Sequence, residues 1–252
     1  MKNYVPPLDL LRNRVILVTG ASSGLGRLAS LAYAQHGATV ALLARDEIKL
    51  EKVYDEIVHA GWPEPAMFPY DLAMADDQGL ETLAGVMGHH LKRLDGILHS
   101  AHAFTNLSPL HLQTVDQWQM LLKVNLIAPF GLTRACLPFL QAAPDASVIF
   151  TGETHGHQPT AFWGGYAVAK SGLETLAKIW SQELEQNSRI RINTLIPGPI
   201  ATTLQARTHP GQLAGSLPPA SSITPHYLYL MGPDSTKVRG QVMECQRDAS
   251  LA

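Results

Sequence analysis

Val15-Ile16-Leu17-Val18-Thr19-Gly20-Ala21-Ser22-Ser23-Gly24-Leu25-Gly26 is the stretch on which the reading of the fold depends. A compact β-rich run ends at Thr19-Gly20, and an Ala/Leu-rich helical segment follows to about His36. Glycines between a strand and a helix permit a tight turn and let the backbone approach a pyrophosphate, which the positive helix N-terminus attracts. A glycine-rich turn also serves plain packing, so its meaning depends on what the chain builds around it. On the phosphate reading, Gly20, Ser22, Ser23, Gly24, Leu25 and Gly26 form the cradle.

Outward from this turn, short apolar runs alternate with helical patterns. Thr39-Val40-Ala41-Leu42-Leu43 is a second strand, with a charged helix from Asp46 to Ala60 behind it. Ala66-Met67-Phe68 leads to Asp71-Leu72 and a helix to about Lys92. Asp95–His99 and Ser147–Thr151 read as the next two strands, with helical sequence around Trp118–Leu126 and Leu132–Leu140 between them. Ile190–Ile196 alternates and ends at Pro197-Gly198; before it, a helix runs from about Gly165 to Gln186. Continuous apolar strands separated by helices predict a parallel sheet covered on both faces. Crossover handedness then makes this a doubly wound Rossmann-type α/β fold of about seven strands. No boundary divides the chain, so residues 1–252 are read as a single domain. Ala201–Thr224, rich in Pro, Gly, Ser and Thr, is loop-like, and its length predicts a lid over the substrate.

Composition removes several function classes. Hydrophobic residues make up 46% and charged ones 16%, with a formal net charge of -2. That balance gives no electrostatic footprint for nucleic acid or an anionic membrane. Cys136 and Cys245 stand far apart and fit a reduced compartment. Met1–Pro7 lacks the apolar run of a signal peptide, and no window is read as reaching the length of a membrane span. A cytoplasmic protein with neither nucleic acid nor membrane as partner is expected.

The run Gly165-Tyr166-Ala167-Val168-Ala169-Lys170 points to the chemistry. Four residues apart on a helix, Tyr166 and Lys170 share a face. A phenol is a poor acid near neutrality, with a pKa of about 10. A neighbouring ammonium favours the phenolate, which lets the pair exchange a proton with an alcohol or a carbonyl. An ordinary Tyr-x-x-x-Lys on a helix surface would look the same in isolation. The end of the second strand bears on the nucleotide. An acidic residue there would bind a ribose 2′-hydroxyl and select NAD. Ala44-Arg45 stands there instead, and a guanidinium can pair with a 2′-phosphate, with Arg27 adding positive charge. Asp46, the nearby carboxylate, suits a helix N-cap. NADP(H) is therefore the preferred cofactor, and NAD(H) is left open.

Thr19-Gly20-x-x-x-Gly24-x-Gly26, Asp71-Leu72, Asn125, Tyr166-x-x-x-Lys170 and Pro197-Gly198, in this order and spacing, resemble the short-chain dehydrogenase/reductase family over nearly the whole chain. Arg14–Ser22, Arg93–His99 and Tyr227–Gly232 look like its YciK-like oxidoreductase subgroup. The resemblance implies hydride transfer between the cofactor and a small carbonyl or alcohol substrate, in a homodimer or homotetramer. It implies that Tyr166 is the acid or base, and that Lys170 holds the nicotinamide ribose and lowers the Tyr166 pKa. Asn125 would hold a relay water, Asp71 would bond the adenine and Leu72 would border it. Pro197, Gly198 and Thr202 would line the nicotinamide end. A strand-exit asparagine, a strand-end turn and a helix cap are the plainer readings of Asn125, Pro197-Gly198 and Asp71.

Two positions depart from the family pattern. The serine expected thirteen residues before the tyrosine is Glu153. An ionised carboxylate only accepts hydrogen bonds, opposes a developing alkoxide and raises a nearby phenol pKa. Glu153 would donate only if protonated, and Thr151 or Thr154 is a substitute hydroxyl. At the fourth strand the family's Asn-Ala-Gly reads Ser100-Ala101-His102, with Ser100 and Ala101 kept as cofactor contacts and His102 as a proton donor or an obstruction. Glu153, His155 and His157 would share a face on an extended segment, yet no second ligand cluster supports a metal, and none is assigned. Phe162 and Trp163 are read as a substrate wall or as ordinary packing, with the wall preferred. Besides the oxidoreductase, two readings remain: a catalytically weakened or inactive cofactor-binding protein of the same fold, and a non-redox enzyme using Glu153 or His102.

Overall fold

Seven strands form one sheet: β1 (Val15–Thr19), β2 (Thr39–Ala44), β3 (Ala66–Pro69), β4 (Gly96–His99), β5 (Ala146–Thr151), β6 (Ile190–Ile196) and β7 (Val242–Glu244). Their spatial order is β3-β2-β1-β4-β5-β6-β7, and every pairing is parallel. The computed structural model describes residues 4–185, 189–213 and 215–246. The predicted helix end at Gln186, the residues Met1–Asn3 and Ala214 of the expected lid lie outside the described residues. β7 has no counterpart in the sequence reading, because three half-buried residues are too few to show a period.

The helices are α1 (Gly24–Gln35), α2 (Glu47–His59), α3 (Asp77–Leu91), α4 (Val115–Leu122), α5 (Ala128–Ala142), α6 (Thr154–His157), α7 (Gly164–Glu183), α8 (Thr203–Thr208) and α9 (Thr224–Met231). They cover the sheet on both faces. Along β1, Val15 and Leu17 join a core with α3, α5 and α7, whereas Ile16 and Val18 join one with α1, α2 and α9. That alternation is the pleat, and it explains why the strand is apolar at every position. Each fully buried Leu or Ile in these layers contributes roughly 1.5–3 kcal/mol. Asp46 starts α2: its Oδ1 accepts from Lys49 N at 3.1 Å. At the amino ends of the strands, Asp145 pairs with Arg14 and with the fully buried Arg191, a structural network at the edge opposite the glycine turn.

Two expectations need correction. Trp118–Leu126 and Leu132–Leu140 are not separate helices, because a π turn at Lys123–Ile127 joins α4 to α5 without a break. The joined run Val115–Ala142, which contains an 18-residue window with a mean hydropathy of 1.3, is long and apolar enough by composition to cross a membrane, contrary to the sequence reading. Ala128, Leu132, Cys136 and Leu140 in it belong to the core, as in any helix that covers a sheet. Ala201–Thr224 is also more ordered than a loop. It holds α8, a 3-10 turn at Ala220–Ile223 and a bridge between Ala201 and Pro219.

Candidate active site

Because all strands run parallel, the carboxyl ends of β1, β4, β5 and β6 lie side by side. Between β1 and β4 the order of the sheet reverses direction, which opens the crevice where such folds bind ligands. Gly20 follows β1 with φ +69°, and a Cβ on it would meet the Ala101 backbone at 2.8 Å. Thr19 Oγ1 accepts from Ser100 N and Ala101 N, both at 3.1 Å, which ties the exit of β4 to the turn. A Cβ on Gly26 would lie 2.3 Å from Gly20 O, whereas Gly24, at φ +52°, faces open space. Ser23 and Gly24 are exposed, with Ser22 and Leu25 half-buried beside them. No side chain caps the first turn of α1, and no acidic residue sits in it. Its amide groups and positive dipole end are therefore available to a diphosphate, so these residues fit a dinucleotide cofactor.

Farther along the same edge, Arg45 at the end of β2 is exposed and has no ion-pair partner among the described residues. Arg27 instead pairs with Glu56 of α2. Asp71 after β3 caps a 3-10 turn, its Oδ1 accepting from Ala73 N at 3.0 Å, and Leu72 is buried below it. Gly198 after β6 has φ +74°, and Pro197 beside it is buried. Thr202 caps α8, accepting from Gln205 N at 3.2 Å. Asp71 thus takes the plainer capping role with one oxygen, and Thr202 caps in the same way.

Tyr166 and Lys170 lie on α7, each only 3% exposed, with Lys170 Nζ 5.7 Å from the phenol ring centroid. Gly156 lets α6 press against this helix: a Cβ there would meet Lys170 Cβ at 2.7 Å. Lys170 Nζ donates to Thr151 O at 2.9 Å. Burial brings its pKa down to about 8, with the Glu153 charge acting in the opposite sense. Burial and then Glu153 push the Tyr166 phenol well above its usual value. The expected depression of Tyr166 by Lys170 does not set its pKa in this geometry; burial and Glu153 do, and the sequence pattern carries charge but not burial. Asn125 is fully buried in the π turn. Its Nδ2 donates to Ala103 O at 2.8 Å and Leu121 O at 2.9 Å, while its Oδ1 accepts from Ala103 N at 3.2 Å. Both amide donors are occupied by protein, so the side chain clamps the loop after β4 and has no N–H left to hold water.

Glu153 follows β5 and Gly152 and is half-buried, with its Oε1 3.2 Å from His155 Nδ1. Thr151, the proposed substitute hydroxyl, is 3.1 Å from the Tyr227 hydroxyl in the core instead. The expected shared face of Glu153, His155 and His157 does not form, because Thr154–His157 is a helical turn and not an extended segment. His155 faces Glu153, whereas His157 is 2.8 Å from Glu174 of α7. Among the described residues, no group of three such ligands is placed to hold a metal. His155 stacks on Trp163 at 3.8 Å and 9°. Phe104 stands edge-on to Tyr166 at 5.2 Å and tilted to Trp163 at 5.9 Å, and His209 lies 5.8 Å from His155. Trp163 thus joins an aromatic wall as read, but Phe162 is left exposed with φ +75°. Sequence reasoning missed Phe104, His155 as a Glu153 partner, and Arg207, which lies over the Phe104 ring at 5.5 Å. His102 is exposed, with an ordinary backbone φ, so its side chain needs no outward shift of the loop. Desolvation of its ring, and then the Lys170 charge, hold its imidazole below the ordinary range.

A model of the short chain dehydrogenase family matches residues 14–212. The chain belongs to the short-chain dehydrogenase family. Oxidoreductase YciK of Escherichia coli (strain K12) is 38% identical over 244 residues, covering 97% of this chain and 96% of that protein. A short chain dehydrogenase structure from Pseudomonas syringae superposes with a TM-score of 0.94 at 40% identity, covering 97% of this chain and 99% of that one. Another, from Escherichia coli CFT073 complexed with NADPH, does so with a TM-score of 0.92 at 38% identity, covering 96% and 100%. This short-chain dehydrogenase thus has the seven-stranded fold of its relatives and falls in the YciK-like group of oxidoreductases.

Proposed function

We propose that this short-chain dehydrogenase is an NADP(H)-dependent oxidoreductase acting on a carbonyl or alcohol, with Tyr166 as the acid or base. The observation that carries the reading is the buried Tyr166–Lys170 pair on α7 beside an uncapped helix N-terminus and a glycine cradle. The related structure complexed with NADPH supports the choice of nucleotide. On this reading Gly20, Ser22, Ser23, Gly24, Leu25 and Gly26 hold the diphosphate, and Arg45 pairs with the 2′-phosphate. Asp71 and Leu72 border the adenine, and Ser100, Ala101, Pro197, Gly198 and Thr202 line the nicotinamide half. The bound cofactor supplies the hydride. Lys170 spends one N–H on Thr151 O, which leaves two donors for ribose hydroxyls. Tyr166, held neutral by burial and by Glu153, gives its proton to the substrate oxygen. A phenol with a raised pKa suits this direction, and alcohol oxidation would need its phenolate. Asn125 keeps Ala103 and the rest of the loop in place.

Glu153 also favours a second reading, a cofactor-binding protein with weak turnover, because a carboxylate beside the phenol opposes an alkoxide. Glu153→Ser distinguishes the two: under the enzyme reading it raises ketone reduction, and a fall would give the carboxylate a catalytic task. Exposed Ile127, Phe130, Val168 and Ile179 on the α5–α7 side fit contact with a second copy, in a homodimer or homotetramer.

Two measurements test the assignment. Removing the Arg45 charge (Arg45→Ala) should raise the KM for NADPH by about tenfold or more and move that for NADH far less, since a charge-assisted hydrogen bond is worth about 1.5–3 kcal/mol. An equal change for both coenzymes would remove Arg45 from the 2′-phosphate. The pH profile of kcat/KM for reduction should fall as pH rises past about 8, where Lys170 loses its proton. Glu153 holds that proton on, so Glu153→Gln should shift the falling limb to lower pH, and an unmoved limb would contradict the coupling.

A further inference from the structure

We infer that the substrate class of this site is the protonated carbon–nitrogen double bond, an iminium, in preference to the carbonyl. The inference deepens the oxidoreductase reading above and rests on it. Glu153 is the residue that decides it. Its position is fixed from both sides: Gly152 N donates to Leu195 O at 2.8 Å, and Glu153 O accepts from Gly156 N and His157 N, both at 3.0 Å. The carboxylate is half-buried, and its Oε1 is engaged by His155 Nδ1 at 3.2 Å, while Oε2 has no hydrogen bond among the described residues. His155, its partner, stacks on Trp163 at 3.8 Å, and the Trp163 and Tyr166 ring centroids are 6.0 Å apart, so Glu153 stands on the Tyr166 side of the site, and its charge acts on Tyr166 and Lys170.

A free carboxylate oxygen can accept from an N–H and cannot donate to a carbonyl oxygen. The aromatic wall of Trp163, Phe104 and Tyr166 is a surface that attracts cations: Arg207 lies over the Phe104 ring at 5.5 Å and Lys170 Nζ is 5.7 Å from the Tyr166 centroid. Lys170 Nζ donates to Thr151 O and Arg207 Nη2 to Thr105 O at 3.1 Å; both keep their positive charge, and Glu153 is the anion set against them at the reacting end of the site.

The step balances without an anionic intermediate. Hydride from NADPH forms a C–H bond at the imine carbon, and the C=N π pair becomes the nitrogen lone pair. The substrate is reduced to a neutral amine and the coenzyme oxidised to NADP+. The positive charge passes from substrate to nicotinamide, and both positions are favoured by a carboxylate. A carbonyl would instead build negative charge next to Glu153. A substrate that enters protonated needs nothing from Tyr166, whereas a neutral imine takes one proton from its hydroxyl.

The test compares NADPH oxidation by the full chain with a cyclic imine, methylpyrroline, and with the ring-matched ketone cyclopentanone. The expected kcat/KM is at least about tenfold higher for the imine, and its pH dependence follows the protonated fraction of the imine. Glu153→Gln should lower the imine value about tenfold and raise the ketone value, with an NADPH titration confirming that the variant still binds coenzyme. A wild-type preference for the ketone, or equal losses for both substrates in Glu153→Gln, would overturn the inference and leave the oxidoreductase reading in place. Bound NADPH with no oxidation by either substrate would overturn both.

Discussion

Tyr166→Phe is expected to cut carbonyl reduction by about a hundred- to ten-thousandfold while NADPH still binds, the range that a positioned proton donor contributes. The substitution removes one oxygen and keeps the ring, so the edge-on contact with Phe104 and the packing against Trp163 survive. Loss of rate without loss of fold then isolates the hydroxyl. The high pKa that burial and Glu153 impose on Tyr166 matters here, because the group to be lost is a neutral donor and not a phenolate. Steady-state kcat with a carbonyl panel, alongside coenzyme titration, measures the effect. A rate within a factor of a few of the wild type would remove Tyr166 from the chemistry.

The second large effect is at the turn that opened the reading of the chain. Gly26→Ala places a Cβ 2.3 Å from Gly20 O, backbone against side chain, with no flexible group able to yield. The turn must open, and overpacking of this kind costs about 1–3 kcal/mol. In a domain of this size each kcal/mol lowers Tm by about 2–4 °C. Because Gly20 O and the first amides of α1 are the displaced atoms, NADPH affinity should fall about a hundredfold, more than stability alone accounts for. Gly85→Ala in α3 is the control. Nothing lies within 4 Å of its Cβ, so helix propensity should make it neutral or slightly stabilising. Wild-type NADPH affinity in Gly26→Ala would show that the turn is only a packing device.

The fold was legible where chemistry is local. Strands buried on both faces must be largely apolar, so β1 and β2 announce themselves, and Asp46 reads as a cap because a capping carboxylate needs only its own helix. The carboxyl edge was legible too, since parallel strands carry the residues after β1, β4, β5 and β6 to one side. What failed depended on tertiary context. The π turn that fuses α4 to α5 is held by Asn125 bonds to Ala103 and Leu121, which no helical period encodes. The helical turn after Glu153 broke the extended face assumed for His155 and His157. Phe104, His155, Trp163 and His209 form one wall from four separate segments, so sequence spacing carries no signal of it. The sign of the Tyr166 shift is set by burial and then by Glu153, and burial is not readable from a Tyr-x-x-x-Lys spacing.

The central claim is that coenzyme hydride reaches a substrate held at Tyr166. Single-turnover reaction with NADPH carrying deuterium at its transfer position tests it directly. The account predicts deuterium on the reduced carbon of the product with the wild-type chain, and with Tyr166→Phe the same labelled carbonyl-derived product forming about a hundred- to ten-thousandfold more slowly. Full oxidation of the substrate panel's partner coenzyme without label in any product, or no reaction from a stoichiometric NADPH complex, would contradict it.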